Sequence, residues 1–202
     1  YRNKQGTASF QAKVTYVGPL ALARRSLQRI KFDITQHELL VDPPDRRRIF
    51  HRYADAPASS AMIACYSVNE ILAEKTRALY ERQGRARDVY DVVHICRSFR
   101  DDVSPHRARE ILAKKFEFKT LPTPSVDGIL ARIDNESLRV NWDQQLAHQL
   151  PALPPIERFL IDLRDSLTWW MDPSRTPSCP APLPVRDGET VTPQRFPVAT
   201  PT

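Results

Sequence analysis

The amino-acid sequence predicts an α+β fold in which strand-like segments come first and a bundle of helices follows. Residues 10–17 and 30–34 alternate apolar and polar side chains, which is the period of a strand with one buried face. Apolar residues then recur every three or four positions from residue 67 to residue 171, as in amphipathic helices. A proline-rich stretch ends the sequence. We therefore expect a sheet-forming domain over 1–62, a helical domain over 63–171 and an extended or disordered tail over 172–202.

The first domain is expected to hold two to four strands, which are too few to complete a sheet by themselves. Residues 10–17 stop at a Gly-Pro turn signal. Within residues 30–34 the apolar side chains share one face, whereas Lys31 and Asp33 share the other. The remaining residues are predicted to form a helical turn or loop near 20–27, a turn and a basic run within 40–53, and a loop over 54–60.

The helical domain has a clear predicted start at Ser67. Ser67 and Glu70 have the spacing of a capping box, in which the hydroxyl accepts the Glu70 amide and the Glu70 carboxylate reaches back to Ser67. Gly84 is the predicted C-cap of this helix. A second helix begins near Ala86, and its predicted core stripe is Val89, Val92, Val93, Cys96 and Phe99. Further helices are expected from Ser104-Pro105 to about Phe116 and near 125–133, 138–150 and 156–171.

Composition excludes several classes of protein. No apolar stretch is long enough to span a membrane, and no basic-then-apolar leader opens the sequence, so we expect a cytoplasmic protein. The three cysteines are odd in number and lack CxxC spacing, which argues against a disulfide scaffold or a zinc knuckle. The five glycines form no phosphate-cradling motif. The net charge of +6 is rich in arginine, which favours a phosphate-bearing partner without establishing one.

The most informative stretch for chemistry lies at the predicted turn between the first two helices. Lys75 falls on a stripe with apolar neighbours and with Arg82, and Asp88 and Asp91 share a face at the start of the next helix. Two cations and two carboxylates in this arrangement suit a phosphate and metal site. The same residues suit an ion-pair network that pins a helical hairpin, and spacing does not decide between the two.

Two other candidates are less specific. Asp33 lies on the polar face of its predicted strand, where it is either a ligand for Mg²⁺ or an ordinary solvent-facing acid. The run Arg46-Arg-Arg48 either contacts phosphate or is a solvated face. The five histidines share no metal-ligand spacing. Cys65 and Cys96 are interpreted as small apolar side chains rather than nucleophiles.

Three sequence segments together resemble the AbiEii/AbiGii toxin family. They are Ile30-Lys-Phe-Asp-Ile34, the helix that carries E-K-x-R-A-L up to Leu79, and Arg82 followed by the R-D-x-Y-D string of residues 87–91. Members of this family are nucleotidyltransferase-like proteins of bacterial type IV toxin–antitoxin and abortive-infection systems. The resemblance covers roughly residues 10–99, and the E-K-x-R-A-L and R-D-x-Y-D strings are its specific part.

The resemblance implies a partial nucleotidyltransferase sheet, similar to that of DNA polymerase β, followed by a helical bundle. It also implies Mg²⁺-dependent transfer of a nucleotide from an NTP to an acceptor such as tRNA, and a cognate antitoxin as a further partner. The lack of a long apolar stretch predicts no membrane partner. Carried over by motif, Asp33, Lys75 and Asp88 are the implied catalytic residues, with Asp33 as metal ligand. Arg82, Arg87 and Asp91 are the implied substrate-binding residues.

The sequence departs from the family in one respect. The family's first motif, a G-G/S-T/S loop followed by an R-x-S-x-D-x-D strand, does not occur in the thirty-two residues before Asp33. Our expectation is that this chain either lacks an N-terminal part or is a degenerate member, and that it does not catalyse transfer alone. The alternative function is a non-catalytic helical module that binds RNA or a protein. A third interpretation treats Lys75, Asp88 and Asp91 as structural ion pairs.

Overall fold

The computed structural model describes residues 9–16, 28–35, 38–49, 62–150 and 152–174. Helices and small antiparallel sheets are mixed in it, which confirms the α+β prediction. Contacts divide the chain into two units, Tyr1–Leu40 and Val41–Thr202. The loops predicted near 20–27 and 54–60, and the tail beyond residue 174, lie outside the described residues.

The first unit contains one antiparallel hairpin, formed by β1 (Ser9–Tyr16) and β2 (Gln28–Thr35). The register places Phe10 opposite Ile34 and Val14 opposite Ile30, so the predicted apolar alternation is confirmed on both strands. The apolar face is nevertheless exposed, with side chains between 41% and 58% accessible: Phe10, Val14, Tyr16, Ile30, Phe32 and Ile34.

The second unit begins with a short antiparallel ribbon of β3 (Asp45–Arg48) and β4 (Met62–Cys65). All of β3 is exposed, including the basic run Arg46-Arg-Arg48. Arg47 lies 3.4 Å from Asp45 on the same strand. The ribbon leads directly into the first helix, since β4 ends two residues before the helix N-cap.

Six α-helices follow in the described residues: α1 (Val68–Glu81), α2 (Ala86–Ser98), α3 (Pro105–Phe118), α4 (Val126–Leu130), α5 (Asn135–Leu146) and α6 (Ile156–Met171). They confirm the predicted helices within a few residues at each end. α1 packs against α2 and α3, and α6 packs against α2, α3 and α4 around one apolar core. None of the helices in these described segments has both the length and the apolar character needed to cross a bilayer.

The start of α1 differs from the predicted capping box in one half. Ser67 is the N-cap, and its hydroxyl accepts the Glu70 amide at 3.1 Å as predicted. The Glu70 carboxylate does not reach back to Ser67. It instead accepts the backbone amides of Val41 at 3.3 Å and Asp42 at 3.2 Å, because the chain before β3 lies against this end of α1.

The turn between α1 and α2 also differs from its prediction. Arg82 is the C-cap and Gln83, with φ of 55°, takes the left-handed position that the sequence assigned to glycine. Gly84 follows with φ of +85°, and its amide donates to the Leu79 carbonyl at 3.1 Å. A Cβ at Gly84 would lie 2.6 Å from Ile133, so both conformation and space require glycine here.

The predicted core stripe of α2 is correct up to Cys96 and wrong at Phe99. Val89, Val92, Val93 and Cys96 are fully buried. Phe99 is 40% exposed because α2 ends at Ser98 and the backbone turns away at the C-cap. The last helix carries Trp170, the largest of the fully buried side chains in the described residues.

Candidate functional site

The helical hairpin of α1 and α2 brings Lys75 against the start of α2. The Lys75 ammonium lies 2.5 Å from the Asp91 carboxylate and 3.9 Å from that of Asp88. Its side chain is 35% exposed, since its stem leaves α1 on the stripe that also carries the largely buried Ala78. Lys75 is therefore partly exposed to solvent, and its contacts with two carboxylates fix the direction of its side chain.

Asp88 is the buried acid of this group. Its side chain is 2% exposed, and its second oxygen lies 3.3 Å from a guanidinium nitrogen of Arg82. Asp88 also occupies the first turn of α2, where the unpaired backbone amides of the helix N-terminus favour a negative charge. The carboxylate therefore lies between two cations, and it holds both of them near the turn.

We call Lys75, Arg82, Asp88 and Asp91 the hairpin cluster. The tight turn at Gln83 and Gly84 is what brings its four members together, because it lays the end of α1 beside the start of α2. Arg82 is 55% exposed and Asp91 is 35% exposed, so three of the four side chains reach solvent. The structure thus places an accessible pair of cations on a buried carboxylate.

Arg87 is placed elsewhere. Its guanidinium donates to the backbone carbonyl of Gln145 at 3.4 Å and thereby ties α2 to α5. The predicted substrate-binding residues Arg82 and Asp91 thus lie in the hairpin cluster, whereas Arg87 contacts the neighbouring helix α5.

Asp33 lies on β2 in the first unit. Its carboxylate accepts a hydrogen bond from Gln11 at 3.0 Å and pairs with Lys31 at 3.1 Å, and its side chain is 62% exposed. The hydrogen bond from Gln11 and the contact with Lys31 lower the pKa of this carboxyl. An exposed, ionised carboxylate is a suitable oxygen ligand for Mg²⁺.

A complete metal-binding set of protein side chains is absent from the described residues. No three His, Cys, Asp or Glu side chains gather there as a potential metal centre. Mg²⁺ is commonly held by one or two carboxylates, with substrate phosphates and waters supplying the other ligands. Asp33 fits that kind of site as a single ligand.

A second charged group, beside the hairpin cluster on α1, was not predicted from the sequence. Lys115 of α3 lies 2.8 Å from Glu70 and 3.2 Å from Glu74, and both Lys115 and Glu70 are almost completely buried. Burial alone would raise the pKa of Glu74, but Arg77 and Lys115 lower it overall. The available signal was the position of Lys115, which falls at helical spacing among the core residues of α3.

Two ring side chains of α2, Tyr90 and His94, are close in sequence to the acids of the hairpin cluster. Burial, together with the nearby charge of Asp91, raises the pKa of the Tyr90 hydroxyl. Burial lowers the pKa of His94 despite the opposing effect of Asp91, so the imidazole is neutral near pH 7. Neutral rings are thus interspersed with and follow the acids of α2.

Comparison with known proteins gives one family. The family model described as nucleotidyl transferase AbiEii toxin, type IV TA system, matches residues 2–172. No curated protein and no solved structure gives a match to the chain.

Proposed function

Because the chain belongs to the AbiEii nucleotidyl transferase toxin family of type IV toxin–antitoxin systems, we propose that its hairpin cluster binds the phosphates of an NTP for nucleotidyl transfer. The supporting observation is the placement of Lys75. Its ammonium is accessible, yet it is directed by Asp91 at 2.5 Å and by the buried Asp88 at 3.9 Å. A cation fixed in this way can meet a phosphate without first being ordered.

The proposed reaction is an in-line displacement at the α-phosphorus of the NTP. The acceptor hydroxyl oxygen forms a bond to that phosphorus and loses its proton to solvent. The bond to the oxygen that bridges the α- and β-phosphates breaks, and pyrophosphate leaves with the electron pair. Negative charge therefore grows on the leaving group, where Lys75 and Arg82 stabilise it as fixed cations.

The acids of the cluster have positioning roles in this proposal. Asp88 keeps Lys75 and Arg82 together. Because this carboxylate is buried, the positions of both cations depend strongly on it. Asp91 holds Lys75 in the absence of phosphate. When a nucleotide binds, Lys75 leaves Asp91 and contacts the phosphates instead. Asp33, on the hairpin of the first unit, is proposed as a Mg²⁺ ligand, and a bound ion would supply Lewis-acid chemistry there.

The proposal also concerns the protein partner and the acceptor of the nucleotide. Membership in a type IV toxin–antitoxin family implies a cognate antitoxin. tRNA is the acceptor that we propose. The second candidate function, a non-catalytic module that binds RNA, is favoured by the exposed arginines of β3, since guanidinium groups on an open ribbon suit a phosphate backbone.

Calorimetric titration with Mg²⁺ and each of the four NTPs tests the proposal. We expect binding by the unaltered chain, and loss of at least tenfold in affinity in Lys75→Ala, about the value of one charge-assisted contact. Lys114→Ala is the matched control, because Lys114 is an exposed lysine on α3. Binding that is unchanged in Lys75→Ala, at equal stability of both variants, would assign Lys75 to the structural ion pairs.

A further inference from the structure

Four rings form a continuous aromatic column beside α2: Phe159, Tyr90, His94 and Phe99. Tyr90 stacks on Phe159 with ring centroids 5.5 Å apart, and His94 stacks on Tyr90 at the same separation. Phe99 meets His94 edge to face at 5.8 Å. The column begins at a fully buried ring, Phe159, and ends at Phe99, which is 40% exposed.

The column ends at an accessible ring. Phe99 lies just after the last turn of α2 and presents much of its surface to solvent. His94 is half-buried and its Nδ1 lies 3.3 Å from the Ser98 hydroxyl, which restrains the ring. A restrained imidazole beside an accessible phenyl ring is a preformed surface for a flat, apolar group.

The acids of the hairpin cluster and the exposed end of the column follow one another along α2. Asp88 and Asp91 occupy the first two turns of α2, and His94 and Phe99 follow toward its other end. With a rise of 1.5 Å per residue, Asp88 and His94 are separated by about 9 Å along the helix axis, and Asp91 and Phe99 by about 12 Å. A ligand with phosphate at one end and a flat ring at the other can therefore contact both regions.

We propose that His94 and Phe99 hold the nucleobase of the NTP whose phosphates contact Lys75, an inference that rests on the proposed function. Every base has a flat π-face, so stacking on these rings favours a base without selecting one base strongly. The neutral state of His94 near pH 7 is consistent with this role, because a neutral ring stacks without the cost of desolvating a charge. Tyr90, covered by a ring on each side, supports the column from within.

The test separates the base from the phosphates by comparing two ligands. Calorimetry with Mg²⁺ is carried out with inorganic tripolyphosphate and with whichever of the four NTPs the unaltered chain binds most tightly. We expect Phe99→Ala to bind the NTP roughly tenfold more weakly, as for loss of one stacked base, and to bind tripolyphosphate as before. Phe99→Trp should restore NTP affinity, and Lys75→Ala should weaken the binding of both ligands.

Phe118→Ala is the matched control, because Phe118 is 47% exposed at the end of α3. It should leave both affinities unchanged. Unchanged NTP binding in Phe99→Ala, or equal affinity of the unaltered chain for NTP and tripolyphosphate, would overturn the base site and leave the phosphate site standing. Absence of binding of either ligand to the unaltered chain would overturn the proposed function and the base site together.

Discussion

Lys75 of α1 and Asp91 of α2 meet at 2.5 Å and close the helical hairpin at a point where both side chains are 35% exposed. Asp88 faces the same lysine at 3.9 Å but is 2% exposed. The two acids thus share one cation in very different surroundings. A charge pair that stays in contact with water contributes little to stability, whereas a buried carboxylate depends on its partners.

This difference predicts unequal effects of two isosteric substitutions. Asp88→Asn should lower the free energy of unfolding by about 2 to 4 kcal/mol, because the amide no longer neutralises Lys75 and Arg82 at the helix N-terminus. Asp91→Asn should lower it by less than about 1 kcal/mol. Urea unfolding followed by circular dichroism measures both. Equal losses in the two variants would show that the burial of Asp88 has no energetic consequence.

The pair of Glu70 and Lys115 predicts a larger loss. Lys115→Met leaves the fully buried Glu70 carboxylate without its cation at 2.8 Å, and we expect a loss of about 3 to 5 kcal/mol in the free energy of unfolding. Lys114→Met changes an exposed neighbour on the same helix and should alter this free energy by less than about 0.5 kcal/mol.

The double variant Glu70→Gln with Lys115→Met provides the further control. Glutamine removes the charge but keeps an oxygen that can accept the Val41 or Asp42 amide, so part of the lost stability should return. Strictly additive losses in the double variant would show that the two side chains are not energetically coupled.

The periodicity of the sequence was sufficient to predict β1, β2 and the α-helices, because each of them alternates or repeats locally, whereas the short strands β3 and β4 carry no such pattern. The contacts and exact boundaries at the ends of the helices were less predictable. Glu70 accepts the amides of Val41 and Asp42, which lie 29 and 28 residues earlier in the chain. Local spacing could only suggest the usual partner in a capping box, Ser67. Phe99 continues the core spacing of α2 but falls one residue after the helix ends, and periodicity does not locate that end.

The candidate site was predictable to the extent that its members are near in sequence. Lys75, Arg82, Asp88 and Asp91 come together through one short turn, and helical spacing predicts which faces they occupy. Lys115 joins α1 from α3, about forty residues on, and its partners depend on tertiary packing. The role of Asp33 rests on the resemblance and stays a prediction.

Gly84 offers a direct test of the turn that assembles the cluster. Gly84→Ala places a side chain on a residue with φ of +85° and 2.6 Å from Ile133, so we expect a loss of about 1 to 3 kcal/mol in the free energy of unfolding. Gly128→Ala is the matched control, since its Cβ would make only ordinary contacts and α4 should gain about 0.5 to 1 kcal/mol. Urea unfolding of both variants measures the contrast, and a neutral Gly84→Ala would show that the turn relaxes freely.

The thiol of Cys96 is expected to be unreactive in the folded chain and to make the free energy of unfolding depend on pH. Burial raises the pKa of its thiol to about 12, against smaller opposing effects of Ser166 and Arg100. In a Cys65→Ser, Cys179→Ser variant the remaining thiol should resist iodoacetamide at pH 8 until urea unfolds the chain, as followed by mass spectrometry. The unfolded state loses its thiol proton at lower pH than the folded state, so this group's contribution to stability falls as pH rises above about 9. Labelling in the native state as fast as in urea would show that the thiol is accessible and that α2 and α6 open at this point.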